Sequence, residues 1–236
     1  MTNPELSVII LCYRSEEDII PFSEHVKQAV SSFCDNYEIV LVGNYIEGSN
    51  DRTKAIVENI AAKDHVFRAI CKPKKGMMGW DMREGLEFAK GELLCVIDGD
   101  GQFPVSTLKD CYEYMSQGNY DLIKTYRSIR QDGFKRRLIS YVYNVMFKVL
   151  FPKVKSKDIN SKPKLLKRSL YERLNLESDD WFIDAEIMIK AARIDASWYE
   201  FPIEFKALEG RASFVKTAAI IEFMRNLLIY RFKRKL

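Results

Sequence analysis

Apolar residues in the first half of the chain fall into two alternating patterns. Leu6–Cys12 (LSVIILC) and Glu38–Val42 (EIVLV) are short, nearly continuous and rich in β-branched residues, as strands covered on both faces are. Between them, Ile19, Ile20, Phe22, Val26, Ala29, Val30 and Phe33 recur at helical spacing within 16–33. The alternation then continues. Helices are expected over Thr53–Ala62, Gly79–Lys90 and Ser106–Gln117, and strands over Val66–Cys71, Leu93–Ile97 and Asp121–Thr125. Gly91 stands where the helix of Met82, Leu86 and Ala89 should stop. Such alternation predicts an α/β fold, Rossmann-like, with a mostly parallel sheet and helices on both faces.

Past residue 125 the pattern changes. Long helices are expected over Arg136–Phe151 and Lys164–Leu174, another over Asp184–Arg193, and extended chain over Ser197–Phe205 around Pro202. Thr217–Leu236 reads as a C-terminal amphipathic helix. Its Ile220, Ile221, Phe223, Met224, Leu227 and Leu228 oppose Glu222, Arg225, Asn226 and Lys233. No internal repeat or low-complexity linker interrupts the chain.

Composition narrows the class. With 236 residues, 47% of them hydrophobic and 30% charged, the chain reads as an ordinary globular protein with length for a buried core. Its net charge of +4, from 37 basic and 33 acidic residues, is too small to point to nucleic acid. Basic residues cluster at Lys72–Lys75, Arg127–Arg137, Lys153–Arg168 and the Arg231–Lys235 tail. Such clusters are usually solvated surface, but can also serve phosphates or an anionic membrane. Five cysteines without a C-x-x-C spacing predict free thiols, no zinc site and a reducing, cytoplasmic setting. No signal peptide is expected, because Glu5 precedes an apolar run resembling a strand. No run reaches the ~18 apolar residues of a membrane span. The nearly all-apolar Leu138–Phe151 is therefore a core or interfacial helix.

The chemistry concentrates after the expected strand Leu93–Ile97, in Asp98-Gly99-Asp100-Gly101-Gln102. In open α/β sheets ligands bind beyond the carboxyl ends of strands. If the chain continues extended, alternate side chains share a side, which brings Asp98, Asp100 and Gln102 together. Two carboxylates and an amide oxygen are hard ligands that suit Mg²⁺ or Mn²⁺. An isolated Asp-Gly-Asp-Gly would more simply be a solvated turn; its place after a buried strand favours the metal.

Ser7–Ile10 leading to Tyr13, Glu47-Gly48-Ser49-Asn50-Asp51-Arg52-Thr53, and Asp98–Gln102 together resemble the family 2 glycosyltransferases of GT-A fold. Within them the chain is similar to the polyprenyl-phosphate, dolichol-phosphate-mannose-synthase-like branch, whose D-x-D-x-Q it matches at Asp98, Asp100 and Gln102. The resemblance spans roughly 5–216. It implies a GT-A domain at 1–216, with a nucleotide-sugar half (1–125) and an acceptor half (126–216). The basic, amphipathic helix at 217–236 that follows either docks on the protein's own core or lies at a membrane interface. The family's usual Pro, Asn and Glu around the first Tyr are Leu11, Arg14 and Ser15 here, and its Asp-Asp-Gly-Ser is Ile46–Ser49. Those differences touch the nucleotide site, so they leave the base open.

The resemblance implies donor contacts at Tyr13, Glu47, Ser49 and Asp98, with Arg83, Lys206 and Arg211 toward the diphosphate. Glu47 could instead serve the dipole of the following helix. Gly76–Arg83 precedes a helix, whose open N–H groups would attract an anion; Trp80 and Met82 read better as core. Arg136 and Ser140 are one helical turn apart. With Arg127 they match the family positions that hold the lipid phosphate, a chemistry suited to guanidinium forks. Asp184 and Glu186 stand where the family carries an acidic pair. Asp100, Asp184 and Arg136 are the candidate catalytic residues. A saccharide acceptor would need Asp184 or Glu186 as base, whereas an ionised phosphate would need none. His25 and His65 read as ordinary helix and loop residues.

The expected function is thus metal-dependent, inverting transfer of a sugar from a nucleoside-diphosphate sugar to polyprenyl phosphate, at the cytoplasmic face of a membrane. A saccharide acceptor is the close alternative, and a non-catalytic nucleotide-sugar-binding protein on the same scaffold the distant one. The sequence does not specify the oligomeric state.

Overall fold

The computed structural model describes residues 3–129, 145–205 and 217–232. Strands β1 (Leu6–Leu11), β2 (Tyr37–Val42), β3 (Phe67–Ile70), β4 (Leu93–Asp98), β5 (Leu122–Ile129), β6 (Lys164–Lys167) and β7 (Trp198–Glu204) form one seven-stranded sheet. Its order is β3-β2-β1-β4-β6-β5-β7. Pairing is parallel except where β6 runs antiparallel between β4 and β5. The expected α/β class, mostly parallel with helices on both faces, is borne out.

The continuous apolar strands follow from double coverage. In β1, Val8 and Ile10 face one layer, with α1 (Ile19–Ser31), α2 (Thr53–Lys63) and α4 (Thr107–Gln117) supplying Val26, Val57 and Leu108. Ile9 and Leu11 face the other. That layer holds α3 (Met78–Phe88), the helical residues 145–150 (α5), α6 (Arg168–Leu174), α7 (Ile183–Arg193) and α8 (Thr217–Phe232). A short 3-10 turn, Glu16–Asp18, leads into α1.

Two expectations about elements need correction. Residues 164–167 form a strand rather than the start of a helix, because their backbone groups complete the ladder between β4 and β5. Helix α8 forms, but its described apolar side chains, from Phe223 onward, do not gather on one face. Phe223, Leu227 and Tyr230 pack toward α7, with Phe182 centred 5.0 Å from Phe223 and 4.9 Å from Tyr230. Leu228, Ile229 and Phe232 are exposed on the other side. Among the described residues no helix is long and apolar enough to cross a membrane. All five cysteines are free, and Cys12, Cys34, Cys95 and Cys111 are buried, as expected. Burial pushes the Cys95 thiol up to about 12, so it stays protonated and inert.

Candidate functional site

The parallel register aligns the carboxyl ends of the three central strands, with Leu11 opposite both Val42 and Asp98. Tyr13, the 44–49 loop and Asp98–Gln102 therefore leave the sheet at the same edge. Asp98 is the last residue of β4 and is partly exposed. The chain then turns instead of staying extended. Gly99 donates its N–H to the Leu11 carbonyl (3.0 Å), and a Cβ there would lie 2.9 Å from that oxygen. Gly101 has φ +71°, and Gln102 N–H donates to Asp100 Oδ1 at 3.1 Å. A tight Asx turn at Asp100–Gln102 thus replaces the expected strand alternation. The donor set is all oxygen, without thiol or imidazole, which fits a hard divalent ion. Among the described residues no three His, Cys, Asp or Glu side chains converge as a metal cage. Such an ion would therefore need further oxygens from a ligand.

At β1 and β2, Tyr13 is half-buried, with the Lys74 ammonium 4.0 Å from its ring centroid. Glu47 and Ser49 are exposed in a turn whose Gly48 has φ +74°. Beneath lies a buried polar cluster that the sequence reading missed. Asn44 Nδ2 donates to Asp81 Oδ1 (2.9 Å), Asn44 Oδ1 accepts from Lys72 N–H (2.8 Å), and Lys74 pairs with Asp81. Burial raises the Asp81 pKa above its ordinary value, against the pull of Lys74 and Asn44.

The start of α3 is not an open anion site. Met77 and Trp80 N–H donate to the Asp179 carbonyl (2.7 and 3.1 Å), and Gly79 N–H to that of Asp180 (2.9 Å). The approach is close enough that a Cβ on Gly79 would lie 2.4 Å from the Ser178 carbonyl oxygen. Arg83 belongs to the same contact, ion-paired with Asp179 and donating to the Glu177 carbonyl at 3.2 Å. Met82 is core as expected, while Trp80 is half-buried and its indole N–H has no partner among the described residues.

Glu186 holds that loop. It accepts from Glu177 N–H (2.9 Å), Ser178 N–H (2.8 Å) and Tyr230 Oη (2.8 Å), with Lys190 2.8 Å away. Burial opposes its charge, but Lys190 and the two N–H groups hold its pKa below the ordinary value. Asp184 is fully buried between Lys162 (3.2 Å) and Lys164. Burial again opposes the charge, and the two lysines outweigh it, lowering the pKa. Lys162 also lies 3.4 Å from Asp98 Oδ1. It is raised to about 12, because Asp184 and Asp98 overcome the cost of burial. Lys164 is lowered to about 8, chiefly by burial. The Lys153–Arg168 run is therefore not all surface: Lys162 and Lys164 are interior. Lysines alternating about Pro163 before Leu165-Leu166 were the available signal.

On the expected acceptor side, Arg127 near the end of β5 grips Asp158 through Nε (2.7 Å) and a terminal nitrogen (2.9 Å), and lies over the Phe205 ring. Nearby, Lys124 is buried against Glu200 (3.1 Å) and Ser156 Oγ (3.2 Å). Arg136, Ser140, Lys206 and Arg211 lie outside the described residues.

Comparison with known proteins gives the family and the fold. The family model described as Glycosyl transferase family 2 matches residues 7–174. An undecaprenyl-phosphate 4-deoxy-4-formamido-L-arabinose transferase of Pectobacterium atrosepticum is 31% identical over 145 residues, covering 61% of this chain and 43% of the relative. A dodecaprenyl-phosphate galacturonate synthase of Rhizobium johnstonii is 24% identical, covering 73% and 50%. The chain thus spans half or less of the length of these relatives. In fold, it matches glucosyl-3-phosphoglycerate synthase of Mycobacterium tuberculosis, solved with Mn²⁺, UDP and phosphoglyceric acid. The TM-score is 0.72 at 15% identity, over 97% of this chain and 78% of that one. The same enzyme with Mg²⁺ and UDP gives 0.71, at 15% identity over 99% and 81%.

Proposed function

The chain belongs to glycosyl transferase family 2, and from that membership we propose that it moves a sugar from a nucleoside-diphosphate sugar to polyprenyl phosphate, with inversion and with a divalent metal. The observation that carries this reading is the Asp98–Gln102 turn at the end of β4, set beside Tyr13 and the 44–49 loop. Asp98, Asp100 and Gln102 would hold Mg²⁺ or Mn²⁺, which neutralises charge on the departing diphosphate. Tyr13, Glu47 and Ser49 line the edge where the nucleotide would lie. Glu47 is an acceptor able to take a base or ribose hydrogen. Arg83 supports this edge from one remove, through its grip on the 177–180 loop.

The state of the two acids supports this acceptor class. Asp184 is sealed between two ammonium groups, and Glu186 is saturated by N–H, hydroxyl and ammonium partners. Both are held below the ordinary carboxylate range, opposite to the tuning of a general base. A phosphate oxygen arrives ionised and needs no base. Arg127, Arg136 and Ser140 would position that phosphate, Arg127 from a guanidinium already fixed by Asp158. The names of the two relatives, which act on undecaprenyl and dodecaprenyl phosphates, favour the same class. A lipid acceptor also calls for peripheral membrane contact at the cytoplasmic face. Exposed Val145 and Val149 on α5, and exposed Leu228, Ile229 and Phe232 with Arg225 and Arg231 on α8, supply apolar and cationic surface for it.

The test is a panel of UDP- and GDP-sugars with Mn²⁺ or Mg²⁺, scored on short polyprenyl phosphates against saccharide acceptors. Transfer to the lipid phosphate is expected, abolished by EDTA and by Asp100→Asn. Turnover indifferent to both would end the metal assignment. Undiminished lipid transfer in Arg136→Ala with Ser140→Ala would end the acceptor assignment, and nucleotide binding without any turnover would leave a binding protein.

A further inference from the structure

Lys162 has no part in the reaction described above, yet it reaches the reactive end of the sheet. It is 2% exposed, and its Nζ lies 3.4 Å from Asp98 Oδ1, 3.2 Å from Asp184 Oδ2 and 3.3 Å from the Met78 sulfur. A buried ammonium is costly unless paired. Asp184, however, already has an ion-pair partner in Lys164, and one lysine would balance one buried acid. What Lys162 adds is a positive charge against Asp98, whose side chain keeps 27% of its surface exposed. That is the carboxylate best placed to meet a cation from solvent.

We propose that Lys162 makes metal binding at Asp98 conditional on the diphosphate of the donor. The inference rests on the metal-dependent reading of Asp98–Gln102 and concerns how that site is charged. Lys162 and Lys164 against Asp98 and Asp184 sum to zero, so of the two carboxylates at the turn Asp98 offers a bare divalent cation no unbalanced charge, and Asp100 alone stands outside this set. The cation would also sit a few ångströms from an ammonium, and like charges repel strongly where water is scarce. A nucleoside diphosphate brings two or three negative charges and reverses the balance. Metal and nucleotide are then held together or not at all. Without them Asp98 is kept in place by Lys162 instead of by an ion. Lys162 is on this reading a positioning residue, acting through Asp98.

Mn²⁺ binding followed by the loss of its free-ion electron paramagnetic resonance signal tests this without any turnover. The wild-type protein should bind Mn²⁺ at least tenfold more tightly with 1 mM UDP or GDP present than without. Lys162→Gln keeps a donor for the acids and removes the charge. It should tighten binding of Mn²⁺ alone at least tenfold and narrow the gap that the nucleotide makes. Lys162→Arg should restore the wild-type pattern. A purely structural lysine would give the opposite sign, since damage to the site weakens metal binding. Should Lys162→Gln melt out by circular dichroism, Lys162→Met gives the same reading. Mn²⁺ affinity unchanged in the neutral variant, with nucleotide-dependent binding intact, overturns the role of Lys162 alone. A wild type that binds Mn²⁺ equally well with and without nucleotide overturns it without any variant. No Mn²⁺ uptake under either condition overturns the metal site as well.

Discussion

Asp184→Asn removes the one negative charge between two interior ammonium groups. Asp184 is 0% exposed, with Lys162 at 3.2 Å and Lys164 closer. Breaking a buried ion pair from one side typically costs about 3–5 kcal/mol, because the partner stays behind uncompensated. In a chain of this size each kcal/mol moves Tm by about 2–4 °C, so a fall of about 6–20 °C is expected. The loss has a relief valve. Lys164 is already lowered to about 8 by burial, and without Asp184 it should release its proton at still lower pH. Between its folded pKa and its unfolded one, the unfolded chain binds more protons, so stability rises with pH. In the variant that rise starts earlier than in the wild type. The deficit should therefore shrink between pH 6 and pH 8. Urea unfolding followed by tryptophan fluorescence at both pH values measures it. Glu17→Gln, which breaks the exposed Arg52–Glu17 pair, serves as control and should cost at most about 1 kcal/mol. A deficit under about 1 kcal/mol at pH 6 would refute the argument, as would one that grows with pH.

Two further outcomes follow from the same contacts. Gly79→Ala would drive a Cβ to 2.4 Å from the Ser178 carbonyl oxygen and 2.5 Å from that of Asp180. It should destabilise by about 1–3 kcal/mol despite the better helix former, with faster hydrogen exchange at the Met77, Gly79 and Trp80 amides; unchanged exchange would show that the 177–180 loop does not cap α3. In acid, Asp184, Glu186 and Glu38 should act together, because all three are held below their ordinary values. Each contributes stability that is present above its unfolded pKa near 4 and lost as pH falls through the lowered folded value. Urea midpoints should therefore hold above about pH 5 and decline below about pH 4, and a midpoint flat to pH 2 would contradict the three assignments.

The sheet was legible in the sequence where burial left only one reading. Strands β1, β2 and β4 are nearly continuously apolar because both faces are covered, and the residues after β4 are the candidate metal ligands. Strand β6 was not legible, because KLLK has no period long enough to separate strand from helix, and its state is set by the β4 and β5 edges it completes. The start of α3 misled for a related reason. Its glycines looked like room for an anion, but the occupant is a loop about a hundred residues later in the chain, and nothing in Gly76–Arg83 alone tells a phosphate from a carbonyl. Arg83 shows the same limit, since its partner Asp179 lies 96 residues away.

The antiparallel strand also joins the two expected halves. Strand β6 comes from the expected acceptor half, yet it lies directly beside β4, the strand that ends in Asp98. Lys162, two residues before it, is thereby delivered to the far side of the Asp98 carboxylate, and Lys164 to Asp184. Glu186 on α7 meanwhile holds the loop that closes the start of α3. The edge at the end of β4 thus takes its shape from the first half of the chain and much of its charge balance from the second. On the proposed function, a change in the second half of the chain would alter donor binding without touching the donor, through the Lys162–Asp98 and Arg83–Asp179 ion pairs that reach β4 and α3.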